Sequence, residues 1–587
     1  MAQYGDTLGM FASGRGAGKN VYGKSANTGS RQNGGRRTAA KRPARSGRSV
    51  SSKGSAFGDG KKGLSESRRQ WLVLAFSMAV GFVMIAICSR TSFLYPFMDG
   101  VDQNCFMTVG KGMMNGLVPY RDLFEQKGPL LYFLHGLAWL VSHDTWLGVY
   151  ILESLALGVF LWFSWKIWNL YGSRRWSFVW IPVLAALVTV SSPFASGDNV
   201  EELCIALMAV SLYDYLRYLK EYPKNDGRMD AKTLLINGTL AGCVLWMKYT
   251  MLGFWFAWMA TVFFCLILRK NWKQAFLSCL WFLSGMLGIA TIPWVIYFGV
   301  HGAIGDWLYA YFYCNIFAYS SDGISLLSRL SFTWGVVRDA MMDQPLLTVS
   351  MAAGGVYLLV FPGRLPHWFS KISLVLTVAL TFLGMYGGGL SMSYYYLFAY
   401  GFGCLGMIPA AHGLDFLVGK AADRNVQPHR IAAAGTMLAA VTAAAMGVYA
   451  WENSRNTYCT AYIKEGLPQY QFAQIIRETP GASLLNYGFL DGGFYMAADV
   501  LPTTRYFCQL NLRDADFPEM RDEQERLIRD AEVDYVVFRV SMDTDASQIT
   551  DGDVWQNYTC VAQADQEYVK PGHSPAFQYY LFKKQGL

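Results

Sequence analysis

Residues 71–88 read WLVLAFSMAVGFVMIAIC and residues 254–268 read FWFAWMATVFFCLIL, and neither stretch contains a charged side chain. A helix needs about 20 apolar residues to cross a bilayer, so each reads as a membrane span. The same ruler, moved along the chain, finds candidates at 71–88, 149–169, 177–193, 202–216, 233–252, 254–268, 275–298, 345–361, 372–388, 394–412 and 431–451. Composition agrees: 53% of the 587 residues are hydrophobic and 16% charged, where ordinary soluble proteins carry about 25% charge. At roughly 150 residues per domain the length alone would suggest about four soluble domains. The composition excludes that, and excludes a disordered or disulfide-stapled secreted chain as well. The expected fold is a mainly α polytopic membrane protein with about 11 transmembrane helices and a small C-terminal extracytoplasmic α/β domain.

The net charge of +8 is unevenly spread. Residues 1–70 hold 15 Lys/Arg against 3 Asp/Glu, residues 71–451 hold 23 against 19, and residues 452–587 hold 12 against 20. The first segment has too few apolar residues to offset the entropy of ordering and is expected to be a disordered basic tail. Residues 18–25 fit the phosphate-loop spacing G-x-x-x-x-G-K-S, but that loop works only between a strand and a helix, and neither flank provides one. A polybasic tail is better matched to the anionic heads of membrane lipids. The connections at 166–175, 217–232, 269–273, 364–371 and 420–430 carry 16 Lys/Arg, and the opposite loops through residue 344 carry 6. The cationic side faces the cytoplasm. That orientation places the tail inside, a transmembrane part at 71–451 with an outer loop at 89–148, and residues 452–587 outside, in the plasma membrane of the cell. In the outer segment 473–478 and 523–531 read as helices and 482–487 and 533–539 as strands. Cys459, Cys508 and Cys560 offer one disulfide there, with the pairing open.

The chemistry concentrates at 99–131. Asp99 and Asp102 precede Phe106, Val109 and Met113, which fall on one face at helical spacing, as in a helix lying along the membrane surface. Asp102 suits two roles there, an N-cap or a reactive carboxylate. Lys111, Arg121 and Lys127 follow in the same loop, with Glu125 between the last two. A cation beside the bilayer can hold a lipid phosphate while a carboxylate acts on a nearby hydroxyl.

The order Asp102, Met113, then Glu125-x-Lys127-x-Pro129-Leu130 resembles the first outer loop of the GT-C glycosyltransferases, in the branch of the lipid A aminoarabinose transferases and protein O-mannosyltransferases. Two departures stand out: Gln103 replaces a second acid, and Glu125-Gln126-Lys127-Gly128-Pro129 loosens a Glu-Lys-Pro-Pro-Leu run. Both leave the base in place and weigh against a paired-carboxylate or metal role. The resemblance implies an enzyme that takes sugar from a polyprenyl-phosphate donor with inversion. Asp102 would be the general base, and Lys127, with Arg121 or Lys111, would stabilise the departing phosphate.

Further candidates lie outside that loop. Asp198, Glu201 and Glu202 open one apolar helix. They suit a helix N-terminus, and equally an acceptor site or a divalent cation held by oxygen ligands. Lys248 lies within a span, where an ionisable group faces a cavity, a partner or the interface; it would be a second phosphate ligand, and Glu153, similarly placed, is read either as its partner or as a cavity residue. Tyr394, Tyr395 and Tyr396 read as an interfacial belt or as sugar and lipid contacts. No Cys/His spacing matches a metal site, and the one cofactor the sequence leaves open is the divalent cation named above. The expected partners are the lipid-linked donor, a glycan, lipid or protein acceptor, and membrane lipids, with no nucleic acid. A polyprenyl-lipid transporter is the alternative, although the internal repeats and paired broken helices of alternating access are not evident.

Overall fold

The computed structural model describes residues 66–172, 176–318, 325–388, 391–422 and 427–587. The basic stretch 1–65, including 18–25, lies outside them. Gln70–Leu587 forms one compact unit.

The chain runs through α1 (Glu66–Cys88), α2 (Val101–Met114), α3 (Pro129–Val141), α4 (Leu147–Leu170), α5 (Ile181–Thr189), α6 (Val200–Glu221), α7 (Ala231–Lys248) and α8 (Gly253–Leu268). It continues through α9 (Trp272–Leu283), α10 (Ile292–Val300), α11 (Ile304–Leu308), α12 (Leu326–Asp343), α13 (Pro345–Val360), α14 (Trp368–Tyr386), α15 (Tyr396–Ala399), α16 (Gly403–Ala422) and α17 (Pro428–Asn453). Every apolar stretch found in the sequence is helical along most of its length. Among the described residues, seven segments have both the length and the hydropathy to cross a bilayer. One of them, Ala231–Leu268, is α7 and α8 joined by the tight turn Tyr249–Leu252. Ser177–Thr189 and Pro345–Val360 are apolar but shorter, and α6 carries Glu201 and Glu202 in its first turn. This is a polytopic membrane fold.

The last part of the chain builds a four-stranded sheet from β1 (Leu484–Tyr487), β2 (Tyr535–Ser541), β3 (Tyr558–Asp565) and β4 (Phe577–Lys584), in the order β1-β2-β4-β3. β1 and β2 are parallel, pairing Leu484 with Tyr535, and β4 is antiparallel to both β2 and β3. Two of these strands and the helices around 473–478 and 523–531 were legible in the sequence; β3 and β4 were not. No two of the eleven cysteines stand at bonding distance. Cys508 lies against Cys105 and not against Cys459 or Cys560.

The helix of the loop at 89–148 is more enclosed than a single apolar face implies. An amphipathic helix buries one face within the protein, and residues 103–112 of α2 are buried all round. α3 covers one side, with Gly110 and Gly136 at the crossing, where a Cβ on Gly110 would come within 2.5 Å of the Gly136 nitrogen. The C-terminal part covers the other. Thr108 Oγ1 donates to Asp491 Oδ2 at 2.6 Å, and Lys111 Nζ pairs with Asp499 Oδ1 at 2.6 Å. The polar positions that looked solvent-facing are the docking contacts of a segment made much later in the chain.

Asp491 also accepts from Asn486 Nδ2 and the Gly493 amide. Burial pushes its carboxyl up to about 6, against the pull of these donors. A free Asp titrates near about 3.9, so the folded state holds this proton more tightly than the unfolded chain. The contribution to stability is full below about pH 4 and is lost as pH rises through about 6. The thermal midpoint of the purified protein is therefore expected to fall between pH 4 and 7, and to fall less in Asp491→Asn. Equal slopes would assign the effect elsewhere, for example to Glu567, which burial raises to about 7.

Candidate active site

α2 begins after Gly100, whose extended backbone holds the cap position, and no side chain caps the helix. Asp102 is therefore the second helical residue and not the N-cap, although an acid in the first turn still suits the helix dipole. Among the described residues no hydrogen bond or ion pair holds its carboxylate. It faces a cavity of about 460 Å³.

Five segments distant in sequence close this cavity. The first loop supplies Asp102, Glu125, Gln126 and Lys127. The junction of α7 and α8 supplies residues 247–250 and Gly253, the end of α14 supplies Leu383 and Gly384, and Tyr394 and Tyr395 stand beside them. Tyr311 and Asn315 line it from the segment after α11, and Leu490, Leu510 and Asn511 from the C-terminal part.

The loop that carries Lys127 is held through its backbone. Tyr120, at a φ of 72° that a bulky residue rarely adopts, donates its hydroxyl to the Lys127 carbonyl at 2.7 Å. The Lys127 amide donates to Glu125 Oε2 at 2.7 Å, the same oxygen that Tyr132 bonds. The Lys127 ammonium stands 3.9 Å from Glu125 Oε1 and 5.5 Å from the centre of the Phe106 ring. Burial pushes the Glu125 carboxyl up, opposed by the Lys127 charge. Asn315 Nδ2 donates to the Gln126 carbonyl at 2.7 Å.

Gly128, the residue that breaks the expected run, has a steric reason. Its amide donates to the Met247 carbonyl at 3.2 Å, and a Cβ there would meet the Trp246 oxygen at 2.1 Å. Only glycine lets the loop press onto the end of α7, which brings Lys127 beside Lys248. Gly128→Ala is expected to cost about 1–3 kcal/mol, the usual penalty of overpacking, read as a lower thermal midpoint. Gly305→Ala, in open space, is the control and should be close to neutral.

Lys248 is buried, ion-paired to Glu201, and lies over the rings of Tyr395 and Tyr394, 3.8 and 5.1 Å from their centres. An aromatic face favours a desolvated cation. Two polar atoms of the lining are buried without a protein partner: Gln126 Nε2 and Thr250 Oγ1. Such orphans are costly unless something else bonds them.

The remaining sequence candidates lie apart from this cavity. Arg121 forks onto its neighbour Asp122 and the His301 carbonyl at the exposed surface. Lys111 is committed to Asp499, and Asp99 to Arg90. Glu153 is not the partner of Lys248; it accepts from Ser89, Thr91 and the Asp198 amide. Asp198 pairs with His135 at 2.9 Å. Both Glu202 oxygens are buried without a protein hydrogen bond. Tyr396 packs in the core against Phe382 and Tyr400. Among the described residues no three His, Cys, Asp or Glu side chains are grouped to hold a metal ion. The residues that sequence reasoning passed over are Thr250, Asn315 and Asn511. A lone Thr or Asn at the edge of an apolar run carries no signal of its own until the fold shows what it faces.

No family model and no curated protein matches the chain. Among solved structures, the crystal structure of ArnT from Cupriavidus metallidurans bound to undecaprenyl phosphate aligns with a TM-score of 0.54 at 12% identity, over 88% of this chain and 98% of that one. The apo state of the same protein aligns at 0.50, with the same identity and coverage. The chain shares the polytopic fold of that protein, in line with the resemblance carried by the residues between Asp102 and Leu130.

Proposed function

We propose that this protein is an inverting membrane glycosyltransferase that moves a sugar from a polyprenyl-phosphate donor to an acceptor hydroxyl on the outer face of the membrane. The observation that carries the reading is the meeting of an uncommitted carboxylate, Asp102, with the ammonium groups of Lys127 and Lys248 in one cavity. A second, apolar cavity of about 1080 Å³, bordered by α12, α13 and α14, shares Leu383 and Gly387 with the first. A charged chamber beside an apolar one suits a phosphate on a long isoprenoid. The likeness to a protein seen with undecaprenyl phosphate points to the same lipid class.

In the proposed step Asp102 takes the proton of the acceptor hydroxyl as its oxygen attacks the anomeric carbon from the face opposite the phosphate. The bond from that carbon to the phosphate oxygen breaks, and its electron pair leaves with the polyprenyl phosphate. The leaving group departs as a stable anion, so it needs positive charge beside it and no separate acid. Each ammonium already faces a carboxylate, Lys127 that of Glu125 and Lys248 that of Glu201, and Lys127 is the one that the resemblance implies for the phosphate. The Gln126 amide would donate to the sugar or phosphate oxygens, and the Thr250 hydroxyl would bond either. Acceptor-dependent release of polyprenyl phosphate by the purified protein in detergent tests the reading. With no sealed compartment a transporter would release nothing.

The same reading divides the chain into a cytoplasmic tail at 1–70, a transmembrane catalytic part at 71–451 and an outer part at 452–587. A membrane-impermeant thiol label is expected to reach Asp543→Cys in intact cells and not Arg228→Cys, both at exposed positions. The opposite pattern would put Asp102 in the cytoplasm.

A further inference from the structure

We propose that Cys105 and Cys508 are joined by a disulfide that ties the helix of Asp102 to the C-terminal part of the chain. Their sulfurs stand 3.7 Å apart, at van der Waals contact, and both side chains are buried. The pair joins positions 403 residues apart. Neither sulfur competes for another cysteine: Cys459 is buried elsewhere, against Tyr95 and Phe97, and Cys560 Sγ faces the Ala562 carbonyl.

The surroundings already hold the two backbones in place. One turn beyond Cys105, Thr108 bonds Asp491, and Lys111 pairs with Asp499. Both ends of the link border the candidate active site. Cys105 follows Asp102 on α2, and Cys508 precedes Leu510 and Asn511, which line the cavity. The bond would fix the wall of the cavity to the helix that carries its carboxylate.

The balance of the step is simple. Each thiol gives up its hydrogen, the sulfurs bond, and two electrons with two protons pass to the disulfide of a thiol oxidoreductase outside the membrane, which becomes a dithiol. Burial raises the titration point of both thiols. Little thiolate exists once the segments have packed, and thiolate is the attacking species. The bond therefore forms while the C-terminal part is still docking, and afterwards it is shielded from reductant. This inference rests on the outward orientation proposed above and on nothing else in that reading.

The test is alkylation of the full-length protein, taken from its native membrane and denatured in detergent without reductant, followed by digestion and mass spectrometry. Cys105 and Cys508 are expected to escape the reagent and to appear as one linked peptide pair, lighter by two hydrogens than the sum of the free peptides. Prior reduction should free both. In Cys105→Ser, Cys508 should become alkylated; continued protection would show a different partner and overturn the proposal. Alkylation of both thiols in the unreduced wild type would overturn it directly. The label at Asp543→Cys separates the two failures: if that site is reached from outside, only the disulfide falls, and if it is not, the orientation falls with it.

Discussion

Asp102→Asn is expected to lower sugar transfer by about 10²- to 10⁴-fold, the usual worth of a positioned general base. The amide keeps the size of the side chain but cannot take the acceptor proton. Since no described residue bonds the carboxylate, the change breaks no contact, and insertion, yield and thermal midpoint should match the wild type. The neighbouring acid supplies the control. Asp99 is tied to Arg90, so Asp99→Asn should lower stability and leave the chemical step largely intact. Transfer that survives Asp102→Asn and disappears in Asp99→Asn would move the base to the other residue.

Lys127→Met is expected to lower turnover by about 10²- to 10³-fold, the scale of losing one preorganised charge at a developing anion. Methionine keeps much of the aliphatic stem over Phe106 while the charge goes. A cation that holds the phosphate in the ground state also stabilises it as it departs, so donor affinity should fall with turnover. Inhibition by polyprenyl phosphate without sugar should weaken in parallel. Lys127→Arg should be intermediate, because the planar guanidinium replaces a compact ammonium at a site built around the latter. Normal turnover with unchanged inhibition in Lys127→Met would pass the phosphate to Lys248.

The two residues differ in how visible they were. Asp102 and Lys127 sit in one loop whose order of acids, cations and Pro129 resembles a known pattern, and the spans around them follow from hydropathy alone. Lys248, Tyr394 and Tyr395 were legible as polar or aromatic groups at membrane depth, though nothing local joined them to Asp102. Arg121 and Lys111 show the limit of such reading. A cation in an outer loop looks the same whether it faces a cavity, the solvent or another part of the chain. Arg121 is settled by its own neighbour Asp122. Lys111 is settled by Asp499, 388 positions away, which no local pattern reports. The amphipathic reading of α2 failed for the same reason, since its polar side is the docking face of a distant segment. The glycine that loosened the motif is explained by a backbone carbonyl of α7, again a matter of tertiary contact.

That buried helix also bears on how the protein is made. Thr108 leaves the ribosome 383 residues before Asp491, the group that covers it. At about 5–20 residues per second the interval is roughly 20–80 s. Throughout that time the polar side of α2 has no cover, because the segment that will close it has not been synthesised. A chain interrupted after α17 would hold its spans and the carboxylate of Asp102 but would lack the wall formed by Leu490, Leu510 and Asn511. Completion of the cavity is thus a late event of biosynthesis, and a copy that stops short of Leu490 has no enclosed place in which to bind a donor.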